Sequence, residues 1–143
     1  MVVRSRGRRS AWALLLLAAA GVGCGSESED ASQVGPNTML GAFAQLEFTI
    51  TTDLEPAEGV NSFRIDLHDA ATDAPFAGAS LQVTPVMRSM GHEAPGERVV
   101  DEQVEGSYGV ENVVFSMPGA WDMRLRAVRD DVFDEAVFLY EVR

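Results

Sequence analysis

The sequence has no lysine, one cysteine and two histidines, and each shortage excludes something. A single cysteine cannot form an internal disulfide. Two histidines cannot complete a three-histidine zinc site, and serines such as Ser89 and Ser116 have no evident histidine and carboxylate partners for nucleophilic catalysis. Gly91 and Gly119 are turn devices rather than phosphate-loop glycines, since no strand, glycine-rich loop and helix surrounds them. Long apolar runs are also missing. The longest, Ala11 to Val22, would reach only about 18 Å as a helix against roughly 30 Å of hydrocarbon. After that run, no good helix-period stretch of about twelve residues remains. These shortages argue against an enzyme and against a chain that spans a membrane by an ordinary helix.

What the first residues do contain is an export signal. Arg4, Arg6, Arg8 and Arg9 precede the apolar stretch without one acidic residue, which makes a positive n-region followed by an h-region. The run ends in Gly21, Val22, Gly23 and Cys24, and this resembles the lipobox of bacterial lipoproteins, with Gly21 where leucine is usual. The resemblance implies cleavage before Cys24 and transfer of diacylglycerol to its sulfur. Because one acyl chain anchors only marginally, stable attachment implies two or more chains. A plain secretory signal with a nearby free cysteine is the alternative. Residues 1–23 are thus expected to be a signal peptide, and the remainder to be extracytoplasmic. Gly25 supplies no aspartate retention signal, so the outer membrane, facing the periplasm, is the expected destination in a Gram-negative host.

Beyond the signal the charge is one-sided. Seven arginines face all twenty-two acidic side chains after residue 23, a formal charge of −15. Such a field disfavours nucleic acid and anionic lipid, both of which require positive residues to neutralise phosphate. The first part, residues 24–37, is small, polar and acidic and cannot build a core, so it reads as a flexible tether. Residues 38–143 are enough for one domain with one core.

Strand signals fill that domain. Leu46, Phe48 and Ile50 alternate with Gln45, Glu47 and Thr49; Phe63, Ile65 and Leu67 alternate with Arg64, Asp66 and His68. The same period returns in Ala79, Leu81 and Val83, then in Trp121, Met123, Leu125 and Ala127, with a last β-rich run from Ala136 to Val142. Between Tyr108 and Phe115 the phase changes around Glu111 and Asn112, which predicts a bulge. Glycine and proline clusters punctuate the runs. The expectation is an all-β, antiparallel sandwich of about seven strands, because an acidic chain of this size must cover its apolar faces with each other.

Several segments together resemble the YtkA-like domain, a family related to FixH: GVNSFRIDLHD at 59–69, PFAGASLQV at 75–83, MRSMGH at 87–92, GSY at 106–108 and FSMPGAW at 115–121. The resemblance covers about residues 38–130. It implies an immunoglobulin-like β-sandwich on the outer side of a bacterial membrane, with links to copper handling and haem-copper oxidase assembly. Members carry a Met-Pro-x-Met-Gly-His-like segment. Met87, Met90, Gly91 and His92 match it, and Arg88 stands where the proline is expected.

Met87, Met90 and His92 bring two thioethers and an imidazole within six residues. Soft thioethers and imidazole suit copper(I), and they need no reduced thiolate in an oxidising compartment. Met117 adds a third thioether if its turn lies at the same end of the sandwich. Each has a plainer explanation as well. Met87 has the parity of Leu81 and Val83 and would point inward, where methionine fills gaps; Met90, His92 and Met117 could simply support loops. Met123 shares the face of Trp121 and reads as core, and His68 reads as a surface residue. The acidic run Asp130, Asp131, Asp134 and Glu135 lacks EF-hand spacing. Two functional readings follow. One is a copper-binding or copper-delivering module, lipid-anchored through Cys24, that serves another cell-envelope protein. The other is a metal-free structural or interaction module on the same sandwich.

Overall fold

The computed structural model describes residues 35–143, so the expected signal peptide, Cys24 and the expected tether before Gly35 lie outside the described residues. The compact unit Ala31–Arg143 contains every described strand and the whole described core, so it is the piece of chain that closes its own interior.

Nine strands are present among the described residues: β1 (Gly35–Leu40), β2 (Leu46–Thr52), β3 (Gly59–Asp69), β4 (Ser80–Met87), β5 (His92–Glu93), β6 (Val99–Val104), β7 (Ser107–Phe115), β8 (Gly119–Arg129) and β9 (Val132–Val142). All pairings are antiparallel. They build a five-stranded sheet in the order β1-β2-β3-β7-β6 and a four-stranded sheet in the order β5-β4-β8-β9.

The alternation read from the sequence is the alternation of burial. Leu46, Phe48 and Ile50 of β2, Phe63, Ile65 and Leu67 of β3, and Trp121, Met123, Leu125 and Ala127 of β8 are all buried. The inner faces meet through aromatic rings. Phe63 of β3 lies 5.4 Å from Tyr140 of β9 between ring centroids, and Phe115 of β7 lies 5.2 Å from Trp121 of β8. The expected bulge is present as well. Between the pairs Asn61 with Val113 and Phe63 with Val110, Glu111 and Asn112 together oppose Ser62, and Asn112 takes a φ of 61°. The extra residue restores Val113 and Phe115 to the inner face.

Three strands have no counterpart among the expected runs. β1 takes Gly35 to Asn37 out of the presumed tether and pairs them with Ile50, Thr51 and Thr52. β5 has two residues and β6 is mostly exposed. All three lie at sheet edges, where backbone pairing rather than side-chain burial makes the strand, so no apolar alternation announces them.

Candidate functional site

β4 ends at Met87, which is 7% exposed, as its parity predicts. The chain then reverses: Gly91 N–H donates to the Met87 carbonyl at 2.8 Å, and Gly91 adopts a φ of 64° in open space, so backbone conformation rather than room calls for glycine there. The reversal pairs His92 with Met87 and Glu93 with Val86. His92 is therefore an edge-strand residue, held by backbone, with an exposed side chain.

On the other side of β4, Met87 pairs with Trp121 of β8, and Arg88 N–H donates to the Ala120 carbonyl at 2.9 Å. The turn carrying Met117 is thus at the same end of the sandwich. Its own geometry is fixed by Trp121, whose indole Nε1–H donates to the Met117 carbonyl at 3.1 Å. Gly119 has a φ of 136°, and a Cβ there would sit 2.9 Å from the Met87 Cε. The Met87 methyl therefore lies against the Met117–Gly119 turn. Met90 and Met117 are partly open at the same rim, 51% and 37% exposed.

Arg88, which stands where the resemblance implies a proline, does not leave an unopposed cation. Its Nε donates to Asp122 Oδ1 at 2.9 Å, and its terminal nitrogen lies 2.7 Å from the same oxygen. Asp122 is 9% exposed, so the charge of Arg88 is met at the rim by a poorly hydrated carboxylate. Below the rim, Arg98 donates to the carbonyls of Val83 at 3.0 Å, Ala94 at 3.1 Å and Gly96 at 3.0 Å, and it also bridges to the Glu93 carboxylate. That fan of bonds ties the segment after His92 onto β4. Nothing in the apolar pattern marks Arg98, because its role depends on carbonyls brought together only by the turn.

No group of three or more His, Asp or Glu side chains is arranged to hold a metal among the described residues. Asp134 in particular is not a free acidic ligand. It is fully buried on the inner side of β9 and accepts from the N–H groups of Phe43, Gln45, Leu46 and Glu135 at 2.8 to 2.9 Å. Its parity with Ala136 and Phe138 was the available signal. Tyr108 sits at the core margin as expected, its hydroxyl donating to the Phe76 carbonyl at 3.2 Å and accepting from Ala79 N–H at 2.9 Å. Trp121 and Met123 are core, and His68 is half-buried on the outer side of β3.

The architecture is shared with a DUF4426 family protein from Pseudomonas aeruginosa PAO1, at a TM-score of 0.54 and 11% identity over 75% of this chain and 94% of that one. FetP from uropathogenic Escherichia coli strain F11 aligns with a TM-score of 0.47 at 12% identity, over 76% of this chain and 92% of that one. A copper-bound variant of that FetP gives 0.47 and 11% over 76% and 93%. At such identities the first likeness is one of fold. No curated protein sequence matches. The family model described as YtkA-like matches residues 43–126, more than half of the sequence, from just before β2 into β8, and the chain belongs to the YtkA-like family.

Proposed function

We propose that this protein is a non-enzymatic, extracytoplasmic binding module, held to a bacterial membrane through lipidated Cys24, that takes copper(I) at the rim formed by Met87, Met90, His92 and Met117 and passes it to a cell-envelope partner. The observation that carries the reading is the meeting of the β4–β5 reversal with the Met117–Gly119 turn at one end of the sandwich. Three thioethers and one imidazole on two adjoining turns form a soft donor set suited to copper(I) and poorly suited to calcium or magnesium. The Arg88–Asp122 pair removes the electrostatic objection to a cation there.

A competitive copper(I) titration of Ala31–Arg143, which excludes Cys24 and its thiol, tests this reading. Binding above that of an acidic protein without methionine clusters is expected. Met90→Ala and His92→Ala should each weaken it by at least about tenfold, or about 1.4 kcal/mol. Both side chains are exposed, so these variants should keep the parent's melting temperature. No binding by the parent, or unchanged binding in both variants, overturns the reading. The metal-free alternative is favoured by the burial of Met87, whose methyl packs on Gly119 as a core side chain would.

The anchor has its own test. The Arg-rich start, the short apolar run and the segment Gly21 to Cys24 support processing at Cys24. Intact mass of the natural membrane-bound protein should show loss of residues 1–23 and lipid on Cys24, and Cys24→Ser should release it. A soluble, unmodified wild-type protein would exclude lipidation.

A further inference from the structure

The edges of the two sheets are not equally protected. β5 has two residues, β6 is interrupted by a register shift between Glu102 and Val104 and carries Asp101 and Glu102, and β1 contains Pro36. Each is a recognised way to discourage another strand from adding. β9 is different. It runs for eleven residues without a bulge or proline at the edge of the four-stranded sheet, and the acids on its outer face are Glu135 and Glu141.

The first half of that edge is covered. Ala42 N–H donates to the Glu135 carbonyl at 2.8 Å, and the Gln45 side-chain amide donates to the Phe133 carbonyl at 3.0 Å. These bonds also reveal which residues face the edge. In an antiparallel strand the N–H and C=O of alternate residues point to the same side. Val137, Leu139 and Glu141 therefore direct their backbone groups outward, and no hydrogen bond reaches those groups among the described residues. Beside this open half, Val137 is 42% and Leu139 40% exposed.

We propose that the open half of the β9 edge, Val137 to Glu141, is a self-association site at which a second copy of this chain adds its own β9 antiparallel, with Leu139 on the two-fold axis. Three features select a second copy as the occupant. Backbone parity is self-complementary, because a two-fold at Leu139 sets Val137 opposite the other copy's Glu141, and every facing residue is one whose backbone groups point to the edge. The apolar side chains also match. Leu139 meets Leu139 with Val137 on either side, which covers the exposed apolar positions of the outer face. Charge agrees as well. Arg124, which also lies 3.7 Å from Asp122 Oδ2, neighbours Val137 on β8, so the row across the junction reads Arg124, Val137 and the other copy's Glu141. In a chain this acidic, a face that supplies its own arginines to its own glutamates avoids the general repulsion between copies. The proposal rests on the β9 edge and uses none of the sulfur or imidazole donors, so it stands or falls independently of copper binding.

Sedimentation equilibrium of Ala31–Arg143 from micromolar to millimolar concentration tests the proposal, with thermal melting as the check on folding. The wild type should pass from monomer to dimer. Leu139→Glu, which sets like charges across the axis at an exposed position, should weaken the dimer by at least about tenfold with little change in melting. Glu141→Arg should weaken it too, and combining it with Arg124→Glu should restore it by reversing the same charge pair. Leu139→Cys should form an intermolecular disulfide on mild oxidation, because hydrogen-bonded antiparallel partners stand about 5.5 Å apart at Cα, inside the bridging range. Val60→Cys, exposed on β3, should not. A wild type that stays monomeric at millimolar concentration, or a Leu139→Glu variant that dimerises as well as the parent, overturns the proposal.

Discussion

Replacing Asp134 with alanine should cost about 3–5 kcal/mol of unfolding free energy, measured by urea denaturation of Ala31–Arg143. The side chain is 0% exposed and stands at the start of β9, in the four-stranded sheet. Both carboxylate oxygens are spent on backbone donors. Oδ1 accepts from Phe43 and Glu135, and Oδ2 from Gln45 and Leu46. Phe43, Gln45 and Leu46 belong to the connection between β1 and β2 or to the start of β2, in the other sheet. The carboxylate therefore clasps the two layers, and removing it strands the buried Leu46 N–H, at about 1–3 kcal/mol before relaxation, and leaves three part-buried N–H groups without their acceptor. Asn at this position recovers only part of the loss, because its amide presents donors to donors. Gly41→Ala should act on the same clasp, since a Cβ there would overlap the Asp134 carboxyl group. A loss under about 1 kcal/mol for Asp134→Ala would refute the clasp.

The same group sets a pH dependence with a definite sign. Burial acts to raise the Asp134 pKa, but the bonds from Phe43, Leu46, Gln45 and Glu135 outweigh it and hold the carboxyl below its ordinary value. A depressed folded-state pKa means that the contribution is complete above the unfolded value of about 3.9 and is lost as pH falls through the lower, folded value. The wild type should therefore lose more stability than Asp134→Asn as pH drops below about 4. Comparing the two proteins removes the common contribution of the other carboxylates. Parallel pH profiles would show that the carboxylate is not preferentially charged in the fold.

Trp121→Ala should cost about 3–5 kcal/mol and lower the melting temperature by roughly 10 °C or more. Trp121 is 1% exposed, packs against Phe115, and is among the largest side chains buried in the protein. Truncation leaves a cavity where β7 crosses into β8, directly beneath the methionine rim. Trp121→Phe separates the two roles of the ring. It keeps most of the apolar contact but loses the bond to the Met117 carbonyl, so about 1–2 kcal/mol is expected. Because Trp121 is the sole tryptophan of Ala31–Arg143, its fluorescence reports unfolding directly in the wild type. A melting temperature unchanged by the alanine variant would show that this end of the core is not closed by the indole.

What could be read from the residues alone was governed by period and parity. The inner positions of β2, β3, β4 and β8 were legible because a two-residue period with one wet face admits only one facing for each side chain. The phase change at Glu111 and Asn112 likewise announced the bulge, and Trp121 and Met123 were recognisable as core by their neighbours two residues away. The parity of Asp134 pointed inward too, but an acid on an inner face reads as a contradiction until its donors are known. Those donors come from residues about ninety positions earlier, a separation that no local pattern crosses.

By itself the sequence determined an all-β domain with two apolar faces to hide, an acidic surface, and soft donors at Met87, Met90, His92 and Met117. Only the tertiary structure decided that Met87 and the Met117–Gly119 turn share one rim, because that depends on the register of β4 against β8. It also decided that Arg88 is neutralised by Asp122, that β1, β5 and β6 exist as edge strands, and that part of β9 is left open. The physical reason is common to all of these. Burial is written along the chain as an alternation, whereas strand order, edge pairing and the partners of polar groups are relations between distant segments and are fixed only when the two sheets close on each other.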